Sequence, residues 1–101
     1  MSEITNLIVT SEPNFSEKDA LQEYVKGVMP LLLGLDGKIV KRSMITDTIN
    51  GKQNFLFILI MDFPSKKALK SMFLSEEYKK LIPIRDKCFN LVNIHFADDM
   101  K

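Results

Sequence analysis

The stretch NFLFILIMD, Asn54 to Asp62, contains the longest uninterrupted apolar run in the chain, Phe55 to Met61. Written as an extended strand, it presents Phe55, Phe57, Leu59 and Met61 on one face and Leu56, Ile58 and Ile60 on the other. A strand with one face in water alternates apolar and polar residues; one that is apolar on both faces calls for cover on both. The run is far too short to cross a bilayer as a helix. It therefore reads as a central strand of a sheet inside a soluble domain.

The flanks supply its neighbours. Upstream, Asp47-Thr-Ile-Asn-Gly51 is turn chemistry, and Asn50-Gly51 is a strong hairpin dipeptide. The partner strand is Lys38 to Thr46, with Ile39 and Ile45 on one face and Val40, Arg42 and Met44 on the other. Before it, Leu21, Tyr24, Val25, Val28 and Leu32 recur at helical spacing. Ser16 is the expected N-cap of that helix, with Glu17 and Asp19 in its first turn and Phe15 stapled onto Ala20. Pro30 is expected to kink or shorten it, and Gly34, Asp36 and Gly37 to end it. Ile4 to Thr10 is a first strand, followed by a turn at Ser11-Glu-Pro-Asn14. Downstream, Ser65 caps a helix with an Ala68, Leu69, Met72 and Phe73 stripe. A break near Leu74 follows, then a short helix starting at Ser75-Glu-Glu and carrying Tyr78, Leu81 and Ile82. Pro83 bends the chain again, and Asn90 to Phe96 is the last strand. Asp98 to Lys101 is a frayed tail.

The order is β-α-β-β-α-β. Right-handed crossovers turn it into an α+β, ferredoxin-like sandwich: an antiparallel four-stranded sheet with the helices on one face. At 101 residues and 11.6 kDa the chain is read as one such domain over 1–101. The other face of the sheet has nothing in this chain to cover it, yet the Asn54–Asp62 strand is apolar there. A homodimer with two sheets face to face follows as the expectation.

Composition removes several functions. Fourteen Lys+Arg against thirteen Asp+Glu leave a net charge of +1, so no overall field draws the chain to nucleic acid or an anionic membrane. Charge is uneven, though: residues 66–87 hold seven bases and three acids. That segment reads as a solvated lysine face, with a weak anion-attracting patch as the alternative. Cys88 is the only cysteine, which excludes an internal disulfide and CxxC redox or metallochaperone chemistry and points to a reducing cytoplasm. The first ten residues lack the pattern of a signal peptide. His95 is the only histidine, which excludes a multi-histidine metal site. No strand carries the aromatic motif of RNA-recognition domains, and four glycines without P-loop spacing exclude a phosphate cradle. There is no Trp, on which haem-degrading and quinone-forming barrels rely. No cofactor and no metal are expected.

Asp62-Phe-Pro-Ser-Lys-Lys-Ala68, then Phe73, Ser75, Tyr78 and Ile82-Pro-Ile-Arg85, together with Gly37-Lys-Ile-Val-Lys-Arg42 and Tyr24, form an ordered set. They resemble the bacterial family known as domain of unknown function 1330, from about Leu7 to Phe96. Two places depart from its pattern. Met72-Phe73 stands where the family commonly has Trp or Phe followed by Tyr, and Ser43-Met44 replaces glycines after the second-strand Arg. The resemblance implies a dimeric α+β barrel and assigns no reaction.

The candidate site residues carry alternatives. His95 reads as a general base, as a pH-sensitive contact in a dimer, or as a structural histidine at the sheet end. Arg85 and Tyr78, both in the family's pattern, suit recognition of a carboxylate or carbonyl; alternatively Arg85 ties the broken helix together through Glu77, Asp86 or an orphan carbonyl. Ser75 is a ligand contact or a plain N-cap, and Tyr24 a ligand contact or a core residue with its hydroxyl at the rim. Arg42 holds an anion at the sheet surface, pairs across the dimer, or is a solvated edge charge. Two functions are expected on these residues. One is a site between sheet and helices for a small carboxylated or carbonyl-bearing metabolite, with Tyr24, Arg42, Ser75, Tyr78 and Arg85 as ligand contacts and His95 as proton carrier in cofactor-independent chemistry. The other is a non-catalytic dimeric binding or interaction module.

Overall fold

The computed structural model describes residues 4–52 and 56–100. Four strands form one antiparallel sheet in the order β2-β3-β1-β4: β1 is Thr5–Pro13, β2 Lys38–Met44, β3 Phe57–Phe63 and β4 Phe89–Ala97. Helix α1, Lys18–Leu33, connects β1 to β2; α2 (Lys66–Phe73), α3 (Glu76–Lys79) and α4 (Ile82–Cys88) connect β3 to β4. β3 is an interior strand, as its two apolar faces require. Asn54 and Phe55, expected to begin it, lie outside the described residues.

Register assigns each side chain to a face. The rows Ile39–Met61–Leu7–Phe96 and Arg42–Leu59–Val9–Ile94 look toward the helices. There Leu7, Met61 and Phe63 join Ala20, Tyr24, Val28 and Leu32 of α1, Leu69 and Met72 of α2, Tyr78 and Cys88 in the buried core. The opposite face carries Ile8, Ile58, Ile60 and Leu91 with Thr10, Asn93 and His95. No helix of the described residues is long and apolar enough to cross a membrane.

Several local expectations are corrected. β1 does not turn at Ser11: it stays paired with β4 through Pro13, with a register shift after Glu12 where Pro13 has no N–H to donate. Ser16 does not cap α1. Its hydroxyl and backbone N–H both bond to Asn14 Oδ1, at 2.5 and 3.1 Å, and the helix starts beyond Glu17 without a side-chain cap. Phe15 is exposed and meets the edge of Phe57. α1 continues through Pro30 to Leu33; Pro30 is exposed, so the Lys26 carbonyl it leaves without a donor lies on the solvent side. Val25, expected in the apolar stripe, is 46% exposed.

β2 ends at Met44 and not at Thr46, and its alternation breaks: Ile39 pairs with Met61 but Lys41 with Ile60, leaving Val40 as the extra residue of a bulge. Ile39, Arg42 and Met44 therefore share the helix-facing side, where strict alternation separates Ile39 from the other two. The loop after β2 closes with Ile45 N–H donating to Leu56 O at 2.7 Å, and Gly51 supplies the left-handed conformation there, at φ 99°.

The break at Leu74–Ser75 occurs as expected. Ser65 accepts from Ala68 N–H at 3.1 Å and Ser75 from Tyr78 N–H at 3.3 Å, so both helices have side-chain N-caps. Pro83 opens α4 instead of merely bending α3, because a proline in the first turn removes a donor that has no intrahelical partner.

Candidate functional site

Between α1 and the sheet lies a cavity of about 480 Å³. Val9, Leu59 and Ile94 form its floor, Tyr24, Val28 and Met29 of α1 its roof, and Phe73 and Phe89 also line it. At one end Leu7 and Leu32 are 1% and 3% exposed; at the other Val25 and Met44 are 46% and 61% exposed. The cavity thus closes against the packed core at Leu7 and Leu32 and opens between α1 and the edge strand. Among the described residues its walls are apolar except for Tyr24, Ser11, Arg42 and the edge of β2 at Ser43, which pairs with Ile58 on the outer face. Arg42 stands on β2 at the mouth, exposed and with no ion pair among the described residues.

Behind the inner wall is a hydrogen-bonded aromatic cluster. The hydroxyls of Tyr24 and Tyr78 are 2.9 Å apart, and Arg85 Nη1 donates to the Tyr78 hydroxyl at 3.2 Å. Asp86 Oδ1 accepts from the same guanidinium at 3.2 Å. Phe73 meets Tyr78, and Phe89 meets Tyr24, edge-on at 4.8 and 5.6 Å between ring centroids. Burial, reinforced by the hydrogen bond to Tyr78, pushes the Tyr24 phenol well above its ordinary range. For Arg85, burial pulls the other way, but the bonds to Tyr78 and Asp86 prevail and leave it raised. The cluster thus joins two hydrogen-bonded phenols to a permanent cation. Ser75 prepares it: its hydroxyl donates to Met72 O at 2.6 Å and caps the turn that seats Tyr78.

The six residues singled out from the sequence consequently divide into three places. Tyr24 and Arg42 line the cavity. Tyr78, Arg85 and Ser75 stand behind it, bonded to one another's segments and to Tyr24. His95 is opposite Ile8 on the face turned away from the helices, so the sheet separates it from the phenols and from the cavity. Cys88 is fully buried, and burial pushes its thiol up, which disfavours the nucleophilic thiolate. No group of His, Cys, Asp or Glu suited to a metal ion occurs among the described residues. What the sequence reading did not isolate is the cavity floor: Val9, Leu59 and Ile94 read as ordinary core positions, and only their shared row in the sheet brings them together.

The fold is shared with solved structures. The RPA0582 protein of unknown function from Rhodopseudomonas palustris superposes with a TM-score of 0.80 at 15% identity, over 100% of this chain and 85% of that one. A dimeric protein of unknown function and ferredoxin-like fold from Bacteroides fragilis gives 0.59 at 11% identity, over 95% and 96%. A dimeric ferredoxin-like protein of unknown function from Thermobifida fusca gives 0.59 at 9% identity, over 98% and 93%. No curated protein matches the sequence. The family described as Domain of unknown function (DUF1330) matches residues 6–98, and the chain belongs to it.

Proposed function

We propose that the protein acts as a homodimer that holds one small, largely apolar molecule, carrying a carboxylate or carbonyl oxygen, in the cavity of each subunit. The cavity between α1 and the sheet carries this reading. Its volume of about 480 Å³ is that of a small-molecule site, and its apolar walls with a few polar groups have the usual make-up of one. Among the described residues the lining holds no carboxylate and no imidazole, and His95 is on the far side of the sheet, which favours binding over proton transfer in the cavity. The alternative, a non-catalytic interaction module, is supported by the Arg85–Tyr78–Tyr24 bonds, which brace helix against helix without entering the cavity mouth.

The dimer reading is supported by Ile8, Ile58, Ile60 and Leu91, which line the sheet face turned away from the core, and by the dimeric neighbours of this fold. A reducing, cytoplasmic setting suits a single buried thiol.

Native mass spectrometry of the gently purified protein tests both parts. A dimer carrying a reproducible extra mass is expected, with the mass lost when Val28→Trp fills the cavity from the roof or Leu59→Trp from the floor. Monomer alone across a dilution series refutes the dimer. Retention of the extra mass by both folded variants refutes the cavity.

A further inference from the structure

The bulge at Val40 aims one charge at the cavity. Starting from Ile39, which faces the helices opposite Met61, strict alternation puts Lys41 on the helix side and Arg42 on the outer face. The extra residue reverses this: Lys41 pairs with Ile60 on the outer face and Arg42 with Leu59 on the cavity floor. Bulges re-aim side chains beside functional sites. Among the described residues the re-aimed group is the only permanent charge on the lining, which contains no acidic residue there. It sits at the mouth, beside Met44 and across from Val25, while the inner end at Leu7 and Leu32 is closed and apolar.

Resting on the cavity reading above, we infer that the ligand is an apolar monocarboxylate, with its carboxylate held by the Arg42 guanidinium at the mouth and its hydrocarbon body over the Val9, Leu59 and Ile94 floor. The guanidinium fork matches a carboxylate in a bidentate, charge-assisted pair. The reverse orientation buries an anion against the apolar floor of Val9, Leu59 and Ile94 without a charged partner. Cations find no counter-charge among the described residues of the lining, and a neutral carbonyl accepts a weaker bond from Arg42 than a carboxylate does.

The test compares hexanoate, octanoate and decanoate with their primary amides by calorimetry on the intact protein and on Arg42→Met, which keeps an apolar stem. At least one carboxylate is expected to bind about tenfold or more tighter than its amide, the scale of one charge-assisted bond. In Arg42→Met that preference collapses to within about twofold, the carboxylate losing more affinity than the amide. Equal binding of acid and amide, or a preference untouched by Arg42→Met, overturns the anion selection and leaves the cavity reading in place. Binding of none of the six probes overturns both.

Discussion

Replacing Tyr78 by Phe tests whether the phenol pair is scaffolding. Tyr78 is 2% exposed and its hydroxyl has two partners, the Tyr24 hydroxyl at 2.9 Å and Arg85 Nη1 at 3.2 Å. Loss of that oxygen affects the partners unequally. The Arg85 side chain is 23% exposed and keeps Asp86, so solvent offsets its loss. Tyr24 is 8% exposed and has no other side-chain bond among the described residues, so its hydroxyl is left orphaned. An orphaned buried hydroxyl costs about 1–3 kcal/mol, whereas removing both members of a pair approaches neutrality. Tyr78→Phe should therefore cost about 2 kcal/mol and Tyr24→Phe about 1 kcal/mol. The double variant should be no less stable than Tyr78→Phe alone, giving a coupling of about 1 kcal/mol. In a chain of this size each kcal/mol lowers the melting temperature by roughly 4–8 °C. Urea unfolding followed by circular dichroism, at one fixed protein concentration because association shifts apparent stability, reads the cycle. Additive single effects, or a Tyr78→Phe variant within about 0.5 kcal/mol of the wild type, refute the argument that these hydroxyls satisfy one another.

Further outcomes follow from the same contacts. Because burial raises the Tyr24 phenol in the folded state, both states keep its proton up to about pH 10; above that only the unfolded chain releases it, so stability falls by up to about 1.4 kcal/mol per pH unit. Tyr24→Phe removes this loss, while the buried Cys88 thiol contributes alike in both proteins. Parallel stability profiles for wild type and Tyr24→Phe between pH 9 and 11 contradict it. A Cβ at Gly37 meets Phe63 Cε1 and Cζ at 2.5 and 2.6 Å and Leu32 O at 2.8 Å, so Gly37→Ala should cost about 1–3 kcal/mol in chemical denaturation. An unchanged urea midpoint speaks against that close approach. Ser75→Ala removes the cap that seats Tyr78 and should cost about 1 kcal/mol; a melting temperature equal to wild type denies the cap its role.

Element types and their order were legible in the sequence because they rest on local periodicity. A stretch apolar on both faces is an interior strand wherever it is placed, and Phe57–Phe63 is one. Ser65 and Ser75 cap their helices because a cap involves only residues three apart. Ser16 and Pro30 show where local rules fail: Asn14 competes for Ser16, and helix α1 absorbs a proline whose missing bond faces solvent. The family resemblance was legible too, since its residues stand in order along the chain. The sequence names Arg42, Tyr24 and His95 as candidates for one site, but local pattern cannot decide whether they share it. Which of them share a space depends on strand register and on the single extra residue at Val40, and register is set by pairing between segments far apart in the chain. Tertiary structure alone put the sheet between His95 and the phenols, and it alone opened a cavity above Val9, Leu59 and Ile94, because a cavity belongs to the packing of α1 on the sheet and to neither element by itself.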